Sequence, residues 1–130
     1  MGGSDPLGSM PVAVYVTSTD ERARRGKSPV PQALLAQIVA YFHPLRIVLF
    51  GSAARGTAGP DSDLDLLVIL DDDAPDNHLT LRAGWESRRG YNHPADIVPV
   101  RESVYRRRAS VPGTLAYEAE IDGVLVYERP

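Results

Sequence analysis

The sequence predicts an α/β domain in which a small β-sheet is flanked by helices. The first observation is a strand, Arg46–Phe50, that stops at Gly51 and is followed at once by the first turn of a helix. The second is the longer segment Asp63–Leu70, whose composition and length are typical of a strand. Segments with apolar residues at helical spacing lie before and after this unit, so helices and strands alternate along the chain.

The part of the chain before this unit contains three features. Residues 1–9 look like an expression leader, which leaves residues 10–130 as a single domain. The apolar run Val12–Val16 is a candidate strand. The first clear helix is Pro31–Phe42, which ends before His43 and Pro44, and its apolar residues recur at helical spacing: Leu34, Leu35, Ile38, Val39 and Phe42.

The part of the chain after Leu70 alternates in the same way. Trp85, on the first of its predicted helices, can serve either the core or an interface. Pro99 indicates an edge position or an early end for the strand that contains it. The predicted elements are a helix at about Asn77–Arg88, a strand at Ala95–Val100, a basic stretch from Arg101 to Arg108, a helix at about Gly113–Glu120 and a final strand at Gly123–Glu128.

The junction between the first strand and its helix has the parts of a phosphate-binding turn. Such a junction presents backbone N–H groups and the positive end of a helix dipole. Gly51 lets a bulky anion approach the backbone, and Ser52 adds a hydroxyl donor. Arg55, about one turn into the helix, can reach the same anion. Taken alone, the fragment is equally compatible with a capped helix and an arginine in solvent.

A pair of acidic residues opens the next strand. Asp63 and Asp65 are two apart, and side chains two apart on a strand point to one face. Two carboxylates held that close repel each other unless a cation lies between them, and oxygen ligands suit Mg²⁺ bound jointly with phosphates. An Asp-x-Asp alone is also compatible with two acids that face solvent.

The two halves together are more specific than either alone. Gly51-Ser52, ten intervening residues and then Asp63-x-Asp65 before an apolar run resemble the signature of the polymerase-beta-type nucleotidyltransferase superfamily. Ala54-Arg55-Gly56 and the ending Gly123–Glu128 are most similar to the minimal nucleotidyltransferases, many of which act as antitoxins to HEPN-domain toxin ribonucleases. The resemblance implies a polymerase-beta-like fold with a small mixed β-sheet flanked by helices.

The resemblance also implies a third carboxylate, on the strand beside the Asp-x-Asp strand. Asp96 fits, because it opens a short β-branched run, although Glu102 or Glu86 could be mistaken for it. In this family Asp63 and Asp65 would hold two Mg²⁺ ions, and Asp96 would take the proton from the attacking hydroxyl. Three further acids follow the apolar strand instead of opening it and are interpreted as a solvated turn: Asp71, Asp72 and Asp73.

The activity implied by the resemblance is transfer of AMP from ATP to a hydroxyl, such as a tyrosine of a cognate HEPN toxin encoded beside this gene. The residues after Val100 are too few for an acceptor-binding domain of typical size, so we expect the acceptor to come to an open site. Two alternatives stay open: an antitoxin that only occludes its toxin, and a free-standing transferase for a small hydroxyl compound such as an aminoglycoside. The nucleotide, the oligomeric state and the role of the basic stretch are also open.

The composition of the chain narrows the classes of protein to which it can belong. The chain has 130 residues and a formal net charge of −3, which argues against a general nucleic-acid-binding surface. It has no cysteine, so a disulfide framework and a thiolate zinc site are excluded. No long apolar run provides a signal peptide or a membrane span, and a cytoplasmic protein is the simplest expectation.

Overall fold

The computed structural model describes residues 30–56 and 63–130. The expected leader at residues 1–9, the candidate strand Val12–Val16 and the loop after Gly56 lie outside these residues. The helices and strands, numbered in chain order, are α1 Gln32–Phe42, β1 Arg46–Phe50, α2 Ser52–Arg55, β2 Leu64–Leu70, α3 Leu81–Ser87, β3 Ala95–Arg101, α4 Glu102–Arg108, α5 Leu115–Asp122 and β4 Val124–Glu128.

The four strands form one mixed sheet in the order β3-β2-β1-β4. Strand β1 pairs antiparallel with both β2 and β4, whereas β2 and β3 run parallel. The parallel pair is joined through α3, as a parallel connection requires a crossover. Pro99 lies on β3, at the edge of the sheet, where a residue without an N–H donor is tolerated. The predicted α/β class and small mixed sheet are confirmed.

The two faces of the sheet carry different layers. Alternate residues of β2, such as Leu66 and Val68, join the larger apolar cluster with the buried side of α1. The residues between them, Leu67 and Ile69, pack on the opposite face against Tyr105 of α4 and against α5. Because side chains alternate along a strand, Asp65 belongs to this second face.

Most predicted elements agree with the structure to within about two residues, but the expected helix at Asn77–Arg88 is wrong in its first turn. Residues Asp76–His78 form a separate 3₁₀ turn, and α3 begins after Thr80. The Thr80 hydroxyl accepts a hydrogen bond from the Ala83 N–H at 3.0 Å, which is a helix N-cap. This cap fixes the start of α3 against the edge of the sheet.

The basic stretch that follows β3 is a helix whose arginines have different partners. Arg106 contacts Glu102 at 2.9 Å, and Glu102 also contacts Arg46 of β1 at 2.6 Å. Arg101, the last residue of β3, contacts Asp76 at 2.8 Å. These pairs tie the start of α4 to the sheet, so part of the basic stretch has a structural role.

Helix α3 packs against β3 through a glycine. A Cβ added at Gly84 would collide with the backbone oxygen of Ile97. Gly84 is buried, and its neighbour Ala83 is part of the larger apolar cluster. The absence of a side chain therefore sets how closely α3 approaches the edge strand.

We expect Gly84→Ala to destabilise the protein even though alanine is the better helix former. Overpacking against a backbone oxygen costs typically about 1–3 kcal/mol, whereas the gain in helix propensity is about 1 kcal/mol. Urea unfolding should therefore show a net loss of stability. Arg82→Ala, on the exposed side of the same helix, is the matched control and should change stability little. Stability equal to or above that of the wild type in Gly84→Ala would contradict the close contact.

Candidate functional site

The C-terminal end of β1 and the N-terminal ends of β2 and β3 lie side by side at one end of the sheet. Strand β1 stops at Phe50, which lies opposite Asp65 near the start of β2. On its other side, Asp65 lies opposite Asp96 near the start of β3. Equivalent residues on neighbouring strands point to the same face, so the register brings these two carboxylates together on the face covered in part by α5. The expectation that the Asp96 strand lies beside the Asp-x-Asp strand is confirmed.

The two acids of the Asp-x-Asp motif differ in environment. Asp63 precedes β2 by one residue and is exposed, whereas Asp65 lies within β2 and is half-buried. Asp96, the second residue of β3, is exposed. The structure therefore places Asp65 and Asp96 on neighbouring strands of the sheet and Asp63 just before the first of these strands.

Gly51 makes room for the partly buried carboxylate. Its φ of 78° lies in the region that L side chains rarely adopt, and an added Cβ would collide with the Oδ2 atom of Asp65. Gly51 thus leaves space for the Asp65 side chain as well as for any anion bound at the turn. The sequence predicts only the role of Gly51 in anion binding.

The helix after Gly51 is a single turn, Ser52–Arg55, without a side-chain cap. The N–H groups of Ala54 and Arg55 donate to the Gly51 carbonyl, at 3.1 and 3.2 Å. A phosphate at this turn would therefore be bound by the backbone of Ser52 and Ala53, with the Ser52 hydroxyl. So short a helix has a weak dipole, and the exposed Arg55 would supply most of the positive charge.

Electrostatics set Asp65 apart from its neighbours. Burial raises the pKa of the Asp65 carboxyl above its ordinary value, and the negative charges of Asp96, Asp63 and Glu118 raise it further, in that order. Close carboxylates of this kind are stabilised when a cation neutralises them. A cation bound beside Asp65 would therefore relieve this repulsion.

The donor set has the chemistry that magnesium requires, which is carboxylate oxygen. In residues 30–56 and 63–130, however, no three acidic or histidine side chains converge on a point where they could hold a metal ion. Adjacent positions in the sheet and mutual repulsion point to a shared cation for Asp65 and Asp96, with Asp63 able to join from the strand start. The residues fit the ion by type, and the register brings two of them, Asp65 and Asp96, to adjacent positions.

The other acids considered in the sequence are engaged elsewhere. Glu102 pairs with two arginines, and Glu86 accepts hydrogen bonds from Arg82 and Tyr41. Asp71 and Asp72 do lie in a turn after β2, but they also have partners, because Asp71 pairs with Arg129 and Asp72 accepts from the Ser103 N–H. Asp96 is therefore the acid that the fold brings to Asp65.

Glu118, on α5, is a neighbour of Asp65 that sequence reasoning missed. Its charge acts on the carboxylates from the helix that packs over their face of the sheet. No local motif marks Glu118, because α3, β3 and α4 separate its helix from β2 in the sequence. It comes near Asp65 only in the folded chain. Only the fold identifies this fourth acidic group.

A cleft of about 690 Å³ opens beside the carboxylates. Asp65 and Asp96 line it together with apolar side chains from α3 and α5. Three of these are well exposed: Leu81 at 86%, Trp85 at 53% and Leu115 at 44%. Trp85 is thus at an open surface, so the expectation of a role in the core is wrong. Its role at an interface stays a prediction.

We expect Asp65→Asn to stabilise the ligand-free protein at neutral pH. Because the folded-state pKa of Asp65 is raised, its favourable contribution is present below the ordinary aspartate pKa, about 3.9, and is lost as the pH rises through the raised value. Asparagine keeps the neutral form at every pH. The urea midpoint of the variant should exceed that of the wild type at pH 7, and the difference should shrink in acid.

The control for this prediction is Asp73→Asn, in the exposed turn after β2. This substitution removes the same charge at a position away from the acidic cluster, and it should leave the urea midpoint nearly unchanged. A lower midpoint for Asp65→Asn than for the wild type at pH 7 would show that Asp65 does not carry the repulsion inferred here.

Comparison with known proteins places this site in a family. The family model for the nucleotidyltransferase domain matches residues 34–126, well over half of the chain. A crystal structure of a candidate nucleotidyltransferase from Sulfolobus solfataricus shares 20% identity, covers 75% of this chain and 76% of its own, and superposes with a TM-score of 0.49. No curated protein matches significantly. The matched span contains the Gly51-Ser52 turn and all three carboxylates, and the chain belongs to the nucleotidyltransferase domain family.

Proposed function

We propose that this protein is a magnesium-dependent nucleotidyltransferase that moves a nucleoside monophosphate, AMP from ATP, onto a tyrosine hydroxyl of a cognate HEPN toxin and so acts as its antitoxin. The family supports the transferase activity. The observation that carries the site is the register of Asp65 opposite Asp96, beside Gly51. The nucleotide and the toxin rest on the resemblance of the motif to minimal nucleotidyltransferases.

In this mechanism the residues at this end of the sheet have two tasks, binding the phosphates and activating the attacking hydroxyl. The Gly51-Ser52 turn and Arg55 bind the phosphates of the nucleotide and orient its α-phosphate toward the acids. Asp96 accepts the proton of the attacking hydroxyl, and the pyrophosphate leaves on the side of the turn. Asp63, Asp65 and Asp96 would hold magnesium, which when bound neutralises phosphate charge and lowers the barrier to displacement.

The surface around the site favours a protein acceptor. Leu81 and Trp85 expose large apolar side chains at the cleft that contains Asp65 and Asp96. Exposed apolar groups clustered at one place are typical of interaction surfaces, and tryptophan is enriched where proteins bind each other. An aminoglycoside, being polycationic, would gain little from these groups.

No helix within the two described ranges is long and apolar enough to cross a membrane. We propose the cytoplasm as the location because ATP and a toxin ribonuclease would both be encountered there. Fractionation of the native host followed by immunodetection tests this location directly.

The proposed transfer is tested by intact-mass spectrometry of the protein encoded by the neighbouring gene. We expect incubation with this protein, Mg²⁺ and ATP to add the mass of one or more AMP groups. The Asp63→Asn/Asp65→Asn variant should show no addition, since the metal-binding carboxylates are lost. Each of the other nucleoside triphosphates is supplied in parallel to identify the donor.

The alternatives predict different outcomes of the same experiment. A stable complex without any mass gain, with neutralisation retained in the double variant, would support an antitoxin that only occludes its toxin. Turnover of small hydroxyl compounds without a partner protein would support a free-standing transferase. Either result would overturn transfer to the toxin.

Asp96→Asn tests the assignment of the general base. We expect the transfer rate to fall by about a hundredfold or more, because general-base catalysis contributes about 10²–10⁴. Single-turnover mass spectrometry with saturating ATP measures the chemical step separately from nucleotide binding. Glu102→Gln is the matched control among the acids, because Glu102 is held by Arg46 and Arg106. Full activity in Asp96→Asn would show that another group takes the proton.

A further inference from the structure

A second cavity lies next to the cleft, on the same face of β3. It has a volume of about 250 Å³ and is lined by Val100 of β3 and by Arg108 at the end of α4. Val98 and Leu115 line both cavities. The two cavities are therefore neighbours along the strand, and together we call them the β3 groove.

The β3 groove follows the strand from the carboxylates toward α4. Asp96, Val98 and Val100 alternate along β3 and so share the face that forms its floor. Four residues of a strand span about 13 Å, which is the distance from the acid to the far end of this floor. An extended peptide lying along the floor would cover it with about five residues.

The two ends of the β3 groove differ in charge. Asp96 stands at one end, in the acidic cluster. Arg108 lines the other end and is exposed, and within the part of the chain that the structure describes it makes no ion pair. Arg101 and Arg106, from the same basic stretch, are both paired with acids. Arg108 thus retains a positive charge that faces the groove.

The middle of the β3 groove is apolar. Val98 forms its floor, and Leu115 of α5 stands beside it with 44% of its surface exposed. The groove therefore has three parts in a row: a carboxylate that can receive a proton, an apolar segment and a free guanidinium. A ligand that matches all three carries a hydroxyl, an apolar group and an anion in the same order.

We propose that the β3 groove binds an extended peptide segment of the protein acceptor, with its hydroxyl at Asp96, an apolar side chain beside Leu115 and a carboxylate about four residues away at Arg108. The inference rests on the proposed function in taking the acceptor to be a protein. It adds that the acceptor is recognised through an acidic residue near the modified tyrosine. Charge complementarity at Arg108 selects this occupant over a basic peptide.

Trp85 supplies a direct measurement of binding. It is the single tryptophan of the chain, it lines the cleft and it is half-exposed, so its emission should change when the cleft is occupied. The probes are two capped pentapeptides with a tyrosine at one end, a leucine in the middle and a glutamate at the other end, one in each chain direction. Their counterparts carry glutamine or lysine in place of glutamate.

We expect at least one glutamate peptide to shift the Trp85 emission and to bind more tightly than its glutamine counterpart. Arg108→Glu should weaken this peptide by about fivefold, the range of an exposed charge pair, and should favour the lysine peptide instead. Arg107→Glu is the matched control, because Arg107 is exposed on the same turn and lines neither cavity. This variant should affect all peptides equally and weakly.

Two results would overturn the proposal. The first is an unchanged Trp85 emission with every peptide up to about 5 mM, the range of a weak site. The second is equal effects of Arg107→Glu and Arg108→Glu on the glutamate peptide. Binding is measured without nucleotide or metal, so it can succeed when transfer fails and fail when transfer succeeds. The peptide titration and the mass measurement therefore test the two proposals separately.

Discussion

An acidic side chain within a β-strand is the constraint on which the site depends. Asp65 lies in β2, an inner strand, where burial and three nearby acids oppose its ionised form. The sheet tolerates it because Gly51 leaves space beside it and because it lies near the strand end, where solvent and ligands have access. A sheet selected for stability alone would place an apolar residue here, so the loss of stability at Asp65 is consistent with its proposed role in binding a cation.

The remaining elements are arranged around this end of the sheet. The glycine contact between α3 and β3 fixes one wall of the cleft, and α5 supplies the other wall and a fourth acid, Glu118. The larger apolar cluster lies on the opposite face, beneath α1, whereas the smaller apolar cluster shares the face of the site and packs against α4 and α5. The cleft therefore shares residues, such as Phe50 and Ile97, with the packing that holds the sheet together.

The basic stretch shows how one run of like charges can serve two purposes. Arg101 and Arg106 bind acids of the protein itself and anchor α4. Arg108, two residues after Arg106, faces a cavity beside the site instead.

The sequence alone determined the local parts of this protein. The Gly51 turn, the Asp63-x-Asp65 spacing and the bounds of most elements follow from periodicity and from residue types that favour particular backbone conformations, which are local properties. The proposed transfer chemistry comes from the resemblance of this motif to the nucleotidyltransferases. The start of α3 differs from the expectation because Asp76–His78 form a separate 3₁₀ turn and the Thr80 hydroxyl caps the helix at the Ala83 N–H.

Only the tertiary structure decided which distant residues meet. The parallel register places Asp96 opposite Asp65, and it depends on how α3 crosses the sheet, not on any fixed spacing between the two acids. Packing also brought Glu118 near the site, exposed Trp85 at the cleft and left Arg108 facing a cavity, whereas Arg101 and Arg106 are paired with acids. These features arise from contacts between residues far apart in the chain, and the free energy of such contacts is a property of the whole fold and not of any segment.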